Sequence, residues 1–404
     1  MRALPLAAAL ALSSLAAVGC DTSHSTGAST GVVDGGGGAG GGGVVLPSFL
    51  ARAQIFVSGE TTNNDDCRTG ICRHSENTDL VNWQNAIWLV HRTAESQVLG
   101  PNSSLRVSKS VDGGKTFALQ AVIQAPTDRD IRDPHFYVVG DKLVIKTLCR
   151  LPVNSTRDSN VDTLPQTTTS ADGVTWSALA PITDGMGTTW DTHSLWRIKQ
   201  QGGVYYSAAY LDGDLSVTLY SSTDGLTWAK GADIYTVSAD TPLETELTFM
   251  PSGKLLALVR MDGTDAELLG DSGRLRTNVC WADPPYTSFS CPQIFNGERL
   301  DGPLSFFHDG RLFVIARKHL GADDRKRTSL YEITGTLEGG PLSIMEWGEL
   351  PSAGDTSYAG IATVDATHSV VSWYSSSIPL DEGWALAMFE PSDIWLGTID
   401  FSKL

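Results

Sequence analysis

Charged residues recur at the starts of six related segments, and their types define the chemistry open to this chain. Arg73 and Glu76 stand at the first, Arg132 and Asp133 at the second, and Asp191 and His193 at the third. Glu244 and Glu246 open the fourth, Asp301 the fifth, and Asp355 with Tyr358 the sixth. A carboxylate beside a reacting bond serves as general acid or base. A guanidinium is a planar fork that matches a carboxylate with two parallel hydrogen bonds. Gathering such groups is costly unless they pair with one another or with a ligand. Asp133 and Glu244 together would make a carboxylate pair for hydrolysis or elimination on a sugar.

The segments that carry these residues share one pattern: a polar start, a short apolar run, a turn, then an alternating apolar run. They begin at Glu76, Arg132, Thr192, Glu244, Asp301 and Thr356, separated by 56, 60, 52, 57 and 55 residues. Alternation with a period of two around turns such as Gly140-Asp141 and Asp309-Gly310 predicts a β-hairpin in each. No helical periodicity of useful length follows residue 50. Six repeats over residues 49–404 predict an all-β fold, a six-bladed β-propeller of four-stranded antiparallel blades. The run Gln54–Val57 is expected to close the ring against Trp395–Thr398. In a propeller the entry ends of the innermost strands surround one mouth, so the six polar starts are expected to converge there.

A second repeat interleaves with the first. Ser110-Val111-Asp112-Gly113, Ser170-Ala171-Asp172-Gly173 and Ser222-Thr223-Asp224-Gly225 each precede an aromatic residue, namely Phe117, Trp176 and Trp228. They resemble the Asp-box motif, whose Asp and Ser side chains tie down a tight turn. With these motifs the chain resembles the sialidase superfamily over residues 50–404. In that family three arginines bind the substrate carboxylate, a Tyr attacks the anomeric carbon, a Glu activates the Tyr, and an Asp is the acid/base. A neutral Tyr suits this task, because a carboxylate nucleophile would be repelled by the substrate's own carboxylate.

The resemblance implies roles for particular residues. Glu244, followed by Arg260 sixteen residues later, matches the catalytic Glu and the second Arg, with Glu246 as the competing Glu. Arg327, ahead of a short apolar strand, matches the third Arg. Tyr358 follows it by 31 residues and matches the nucleophile. Arg73 stands where the first Arg belongs, although it also neighbours Cys72. Arg317, like Arg260, ends its hairpin and could instead cap a blade. The acid/base position falls three residues before Gly100-Pro101-Asn102-Ser103, where this chain has Gln97. Glu95 is the provisional acid/base, with Asp133 as another carboxylate at the same mouth and Arg132 beside it. Arg132-Asp133-Pro134, Asp301-Gly302-Pro303 and Asp355–Tyr358 also resemble a bacterial sialidase-like group whose substrate these motifs do not imply.

The expected activity is therefore exo-acting glycoside hydrolysis of a terminal acidic sugar, with a glycan as partner. The alternatives are a non-catalytic glycan-binding propeller and an enzyme using the Asp133–Glu244 pair on another sugar. A net charge of −17 argues against a nucleic-acid partner and leaves any anion attraction to a local arginine cluster. No metal and no cofactor are expected, because no Cys/His set has zinc spacing.

Residues 1–20 read as a secretory signal ending Ala17-Val18-Gly19-Cys20, which resembles a bacterial lipobox with Cys20 lipidated. Residues 21–48 form a linker, with nine glycines between Gly31 and Gly43. The expectation is an exported monomer held in the cell envelope by its N-terminal lipid alone. Under oxidising conditions Cys67 with Cys72, and Cys280 with Cys291, are expected to form local disulfides, leaving Cys149 a buried thiol.

Overall fold

The computed structural model describes residues 32–33, 45–62, 66–98, 100–151, 163–184, 194–210, 215–237, 241–262, 275–321 and 324–404. The signal, Cys20, most of the linker, Asp191 and His193 lie outside the described residues. The rest is all-β, a β-propeller of small antiparallel sheets whose innermost strands surround a common axis. The helix Trp384–Ala387 has only four residues. No helix among the described residues is long and apolar enough to cross a membrane.

Each of the six expected hairpins is present. His74–Trp83 pairs with Ala86–Ala94, Asp130–Val139 with Lys142–Arg150, and Thr241–Phe249 with Leu255–Asp262. Asp301–His308 pairs with Arg311–His319, and Thr356–Thr363 with His368–Ser376. The third hairpin differs, because its inner side is broken into Ser194–Leu195 and Lys199–Gln201, both against Val204–Tyr210.

Among the described residues hydrogen bonding groups the strands into five sheets. Three have four strands and one has six. The nine-stranded sheet contains two antiparallel runs, one starting at His74–Trp83 and one that passes through Leu50–Val57 to end at Val32–Val33. A single parallel pairing, Ser392 with His74, joins them. The N-terminal strand lies against the C-terminal one, with Gln54 opposite Leu396 and Ile55 opposite Trp395. This closure ties the two ends of the ring by main-chain hydrogen bonds and removes an exposed sheet edge.

Apolar residues fill the spaces between neighbouring sheets. Leu256, Leu258, Val314 and Ile333 share one such layer, and Trp88, Val107, Phe136 and Ile145 another. Burying a leucine-sized side chain stabilises the fold by about 1.5–3 kcal/mol. The three Ser-x-Asp turns all close in the same way. Ser110, Ser170 and Ser222 donate to the Asp two residues on, at 2.8–3.0 Å. Each Asp then accepts two main-chain N–H groups of its own turn. These bonds, with Thr175 N–H the largest contribution at Asp172, hold that carboxyl down at about 2.

The disulfides Cys67–Cys72 and Cys280–Cys291 are formed, and they fit an oxidising, exported setting. Cys149 is free and buried, and burial pushes its thiol up to about 12.

One glycine governs how the first and last inner strands meet. A Cβ on Gly360 would stand 2.4 Å from the Leu80 nitrogen and 2.6 Å from the Asp79 carbonyl carbon. Both are main-chain atoms that cannot swing aside. Gly360→Ala is expected to lower stability by about 1–3 kcal/mol, because the ring must open to admit the methyl group. A lower urea midpoint at unchanged m-value would check it.

Candidate active site

The mouth is built from irregularities in the inner strands. Register shifts occur between Glu76 and Asp79, Arg132 and His135, Pro242 and Thr245, Asp301 and Leu304, and Ser357 and Gly360. A bulge lifts residues out of the ladder and re-aims their side chains. In four of the five a residue adopts positive φ: Asn77 at 50°, Asp133 at 50°, Gly302 at 57° and Tyr358 at 47°. Such a backbone is rare for a tyrosine and is held only where the surroundings over-determine it. Thr78 Oγ1 donates to the Tyr358 carbonyl at 2.9 Å, and Arg197 Nη2 to the Ala359 carbonyl at 2.5 Å. Gly302 leaves room for the tyrosine ring, which a Cβ there would meet at 3.0 Å.

Tyr358 Oη donates to Glu244 Oε1 at 2.5 Å. Arg260 Nη1 donates to Glu244 Oε2. The Arg317 guanidinium lies 5.2 Å from the centre of the Tyr358 ring, and Trp196 packs edge-on at 5.8 Å. Burial and Glu244 push the Tyr358 hydroxyl well above its ordinary value, with Arg317 and Arg260 opposing. Burial also raises the Glu244 carboxyl, against the pull of Arg260. A carboxylate of raised basicity facing a phenol is suited to accept its proton.

Asp133 sits at the same mouth, half-buried, and accepts from Asn77 Nδ2 at 2.8 Å. Its charge also acts on Tyr358. Lys146 is fully buried, with Nζ 3.4 Å from the Asp133 carbonyl oxygen. Desolvation holds its ammonium down at about 8, with Asp133 opposing and Arg197 assisting.

The arginines of the mouth are paired within the chain. Arg260 donates to both oxygens of Asp262, at 2.7 and 2.8 Å, and Arg299 to both of Asp301, at 2.8 and 3.0 Å. In each case arginine and aspartate are two residues apart. Arg317 donates to the Thr356 carbonyl, to Asp355 and to Tyr374. Arg132 and Arg92 share Asp130. A small cleft beside Tyr358's neighbours Arg260 and Arg317 is also lined by Arg299, Lys326, Asp301 and Asp324. Each of these cations is paired with a carboxylate: Arg260 with Asp262 and Glu244, Arg317 with Asp355, Arg299 with Asp301, and Lys326 with Asp324.

Several expected site residues lie elsewhere. Arg73 is half exposed and pairs with Glu390 at 3.5 Å, because the inward-facing parity of its strand belongs to His74 and Glu76. Arg327 donates to both oxygens of Asp381, at 2.7 and 2.8 Å. Its register partner is Lys318, whereas Thr328 stands opposite Arg317, so it occupies the wrong parity to join Arg317. Glu95 is exposed beyond the end of its strand. Gln97 engages its main chain, the carbonyl accepting from Arg132 and the N–H donating to the Met388 carbonyl at 2.9 Å. Glu246 is fully buried and accepts from Ser305 N and Oγ, both at 2.8 Å, with Lys199 at 2.5 Å. It braces neighbouring inner strands rather than meeting Tyr358.

The arginines near Tyr358 are Arg260 and Arg317, with Arg299 in the adjoining cleft, and Arg73 and Arg327 are elsewhere. A signal for Arg317 existed in the sequence. An acid followed sixteen residues later by Arg occurs as Glu76/Arg92, Glu244/Arg260 and Asp301/Arg317. In two of these hairpins the pair is directly hydrogen-bonded. In the third the two residues are register partners. The spacing reports hairpin geometry, so by itself it does not distinguish Glu244 from Glu76.

No protein-family model and no curated protein matches the chain. Solved structures do. A protein of unknown function from Dyadobacter fermentans superposes with a TM-score of 0.58 at 16% identity, over 86% of this chain and 99% of its own. Hadza microbial sialidase Hz136 gives 0.56 at 13% identity, over 82% of this chain and 66% of its own. Trypanosoma rangeli sialidase in complex with sialic acid gives 0.59 at 14% identity, over 82% of this chain. The chain spans 55% of that sialidase's length. At such identities the likeness speaks for architecture alone: this chain has a sialidase-like β-propeller fold.

Proposed function

We propose that this protein is a retaining exo-glycoside hydrolase of sialidase type that removes a terminal acidic sugar from glycans. The observation that carries the reading is the Tyr358–Glu244 hydrogen bond, made by a half-buried tyrosine in a strained bulge at the propeller mouth. In this reading the propeller has six blades, the two runs of the nine-stranded sheet forming one blade each. Tyr358 Oη attacks the anomeric carbon while its proton passes to Glu244 Oε1. Asp133 protonates the departing glycosidic oxygen. The same aspartate then takes a proton from water, which displaces the sugar from Tyr358, and Glu244 returns the proton to the phenol. Two inversions leave the anomeric configuration unchanged. Arg260 and Arg317 flank the tyrosine and, in this reading, receive the substrate carboxylate. The protein acts as an exported monomer, tethered through the glycine-rich linker by a lipid on Cys20.

Asp133 replaces Glu95 as acid/base in this scheme. A fluorogenic sialoside whose leaving group needs protonation is the test. Parent protein is expected to turn it over, and Asp133→Asn to lower kcat by about 10²–10⁴-fold. A highly acidic leaving group should restore much of the loss in the first step. Absence of turnover by the parent would sink the reading, and an undiminished Asp133→Asn rate would remove the aspartate from it.

A further inference from the structure

His74, Glu76 and Asp355 meet where the first and last inner strands adjoin. His74 and Glu76 are two residues apart on one strand and face the same side. Asp355 immediately precedes the strand Thr356–Thr363. All three side chains are withdrawn from solvent, at 0%, 2% and 0% exposure. His74 Nε2 stands 3.6 Å from Glu76 Oε2 and 3.6 Å from Asp355 Oδ2. Neither Nε2 nor Oδ2 has a hydrogen-bond partner.

These separations are too long for hydrogen bonds, which end near about 3.2 Å. They match the edge of a coordination polyhedron. Two donor atoms each about 2.1 Å from one cation, at an angle of about 115°, lie about 3.5 Å apart. The three donor atoms lie within 4.8 Å of one another.

The outward atoms of the same side chains are all engaged. His74 Nδ1 is 2.8 Å from the Glu390 carbonyl oxygen, which can only accept, so Nδ1 carries a proton, and a ring without a second proton has its lone pair at Nε2. Glu76 Oε1 accepts from Arg92. Asp355 Oδ1 accepts from Arg317, Tyr374 and Trp384, each at 2.9 Å. A histidine oriented by a main-chain carbonyl, beside carboxylates oriented by their own donors, is the outer arrangement that metal ligands use.

We propose that His74 Nε2, Glu76 Oε2 and Asp355 Oδ2 hold a divalent first-row cation, of the Mn²⁺ or Zn²⁺ class. One imidazole and two carboxylates suit such ions better than Ca²⁺ or Mg²⁺, which prefer all-oxygen sites. The site is closed to solvent and lies behind Arg317, so the ion is structural. It staples the first blade to the last, adding a bond between side chains at the seam that main-chain pairing closes elsewhere.

The full chain, purified without chelator, is expected to carry about one such ion per molecule by elemental analysis. Removing it with a chelator should lower Tm by about 5 °C, and added Mn²⁺ or Zn²⁺ should restore it. Co²⁺ loaded into the stripped protein should give visible d–d absorption, and His74→Asn should abolish that absorption. Should the variant fail to fold, ¹⁵N spectra of the parent decide, because a ligated His74 carries a proton on Nδ1 alone. Metal-free protein whose Tm ignores both ions, with His74 doubly protonated between the two carboxylates, would overturn the proposal.

Discussion

Tyr358→Phe is expected to lower kcat on a fluorogenic sialoside by about 10³-fold or more while leaving the propeller folded. The phenylalanine ring keeps the contacts with Trp196 and the Arg317 guanidinium, since both involve the ring and not the hydroxyl. Only Oη and its bond to Glu244 are lost. Glu244 keeps Arg260 as a partner, so no buried charge is stranded. Substrate affinity should fall little, because the groups assigned to the carboxylate remain. The expected signature is a fall in kcat with nearly unchanged KM and Tm. A variant that loses its Tm along with its rate would mean that the hydroxyl serves folding.

Asp301→Ala is expected to have the largest effect on stability. Asp301 accepts from Arg299 at 2.8 and 3.0 Å and from His319 at 2.8 Å, and lies 3.1 Å from Arg260. Removing the carboxylate takes both charge-assisted hydrogen bonds from the buried Arg299 guanidinium, while Arg260 keeps Asp262 and Glu244, and the loss costs about 3–5 kcal/mol. Burial alone would raise this carboxyl, yet Arg260, Arg299 and His319 hold it well below its ordinary value. A folded-state value below the unfolded one makes the contribution complete above about pH 4. It fades as pH falls toward the folded-state value. The stability gap between parent and Asp301→Asn, by urea denaturation at several pH values, should therefore narrow on acidification. A gap that widened would reverse the assignment.

The hairpins were legible because alternation with a period of two, broken by a Gly or Asn turn, specifies antiparallel pairing locally. The closing strand was legible too, since Gln54–Val57 had no other partner in the repeat. The arginines were harder, and the reason is parity. Arg327 and Thr328 are adjacent, but only Thr328 stands opposite Arg317, so one residue separates a site position from a surface ion pair. Arg73 and His74 differ in the same way. Charge alone does not reveal parity, and register at a strand end depends on bulges whose positive-φ residues, such as Asp133 and Tyr358, carry no local sequence signature. The two acid/base candidates differ for a related reason. Glu95 was reached by counting along the chain, whereas Asp133 comes to the mouth from the neighbouring hairpin, held by Asn77 at 2.8 Å.

The central claim is that Tyr358 forms a bond to the sugar. T. rangeli sialidase forms a covalent intermediate with 2,3-difluorosialic acid. Incubating this protein with that compound and measuring the mass of its peptides tests the claim directly. The expected result is one fluorosugar on Tyr358, absent from Tyr358→Phe. Protein that turns over a sialoside yet carries the label on another residue, or on none, would contradict it.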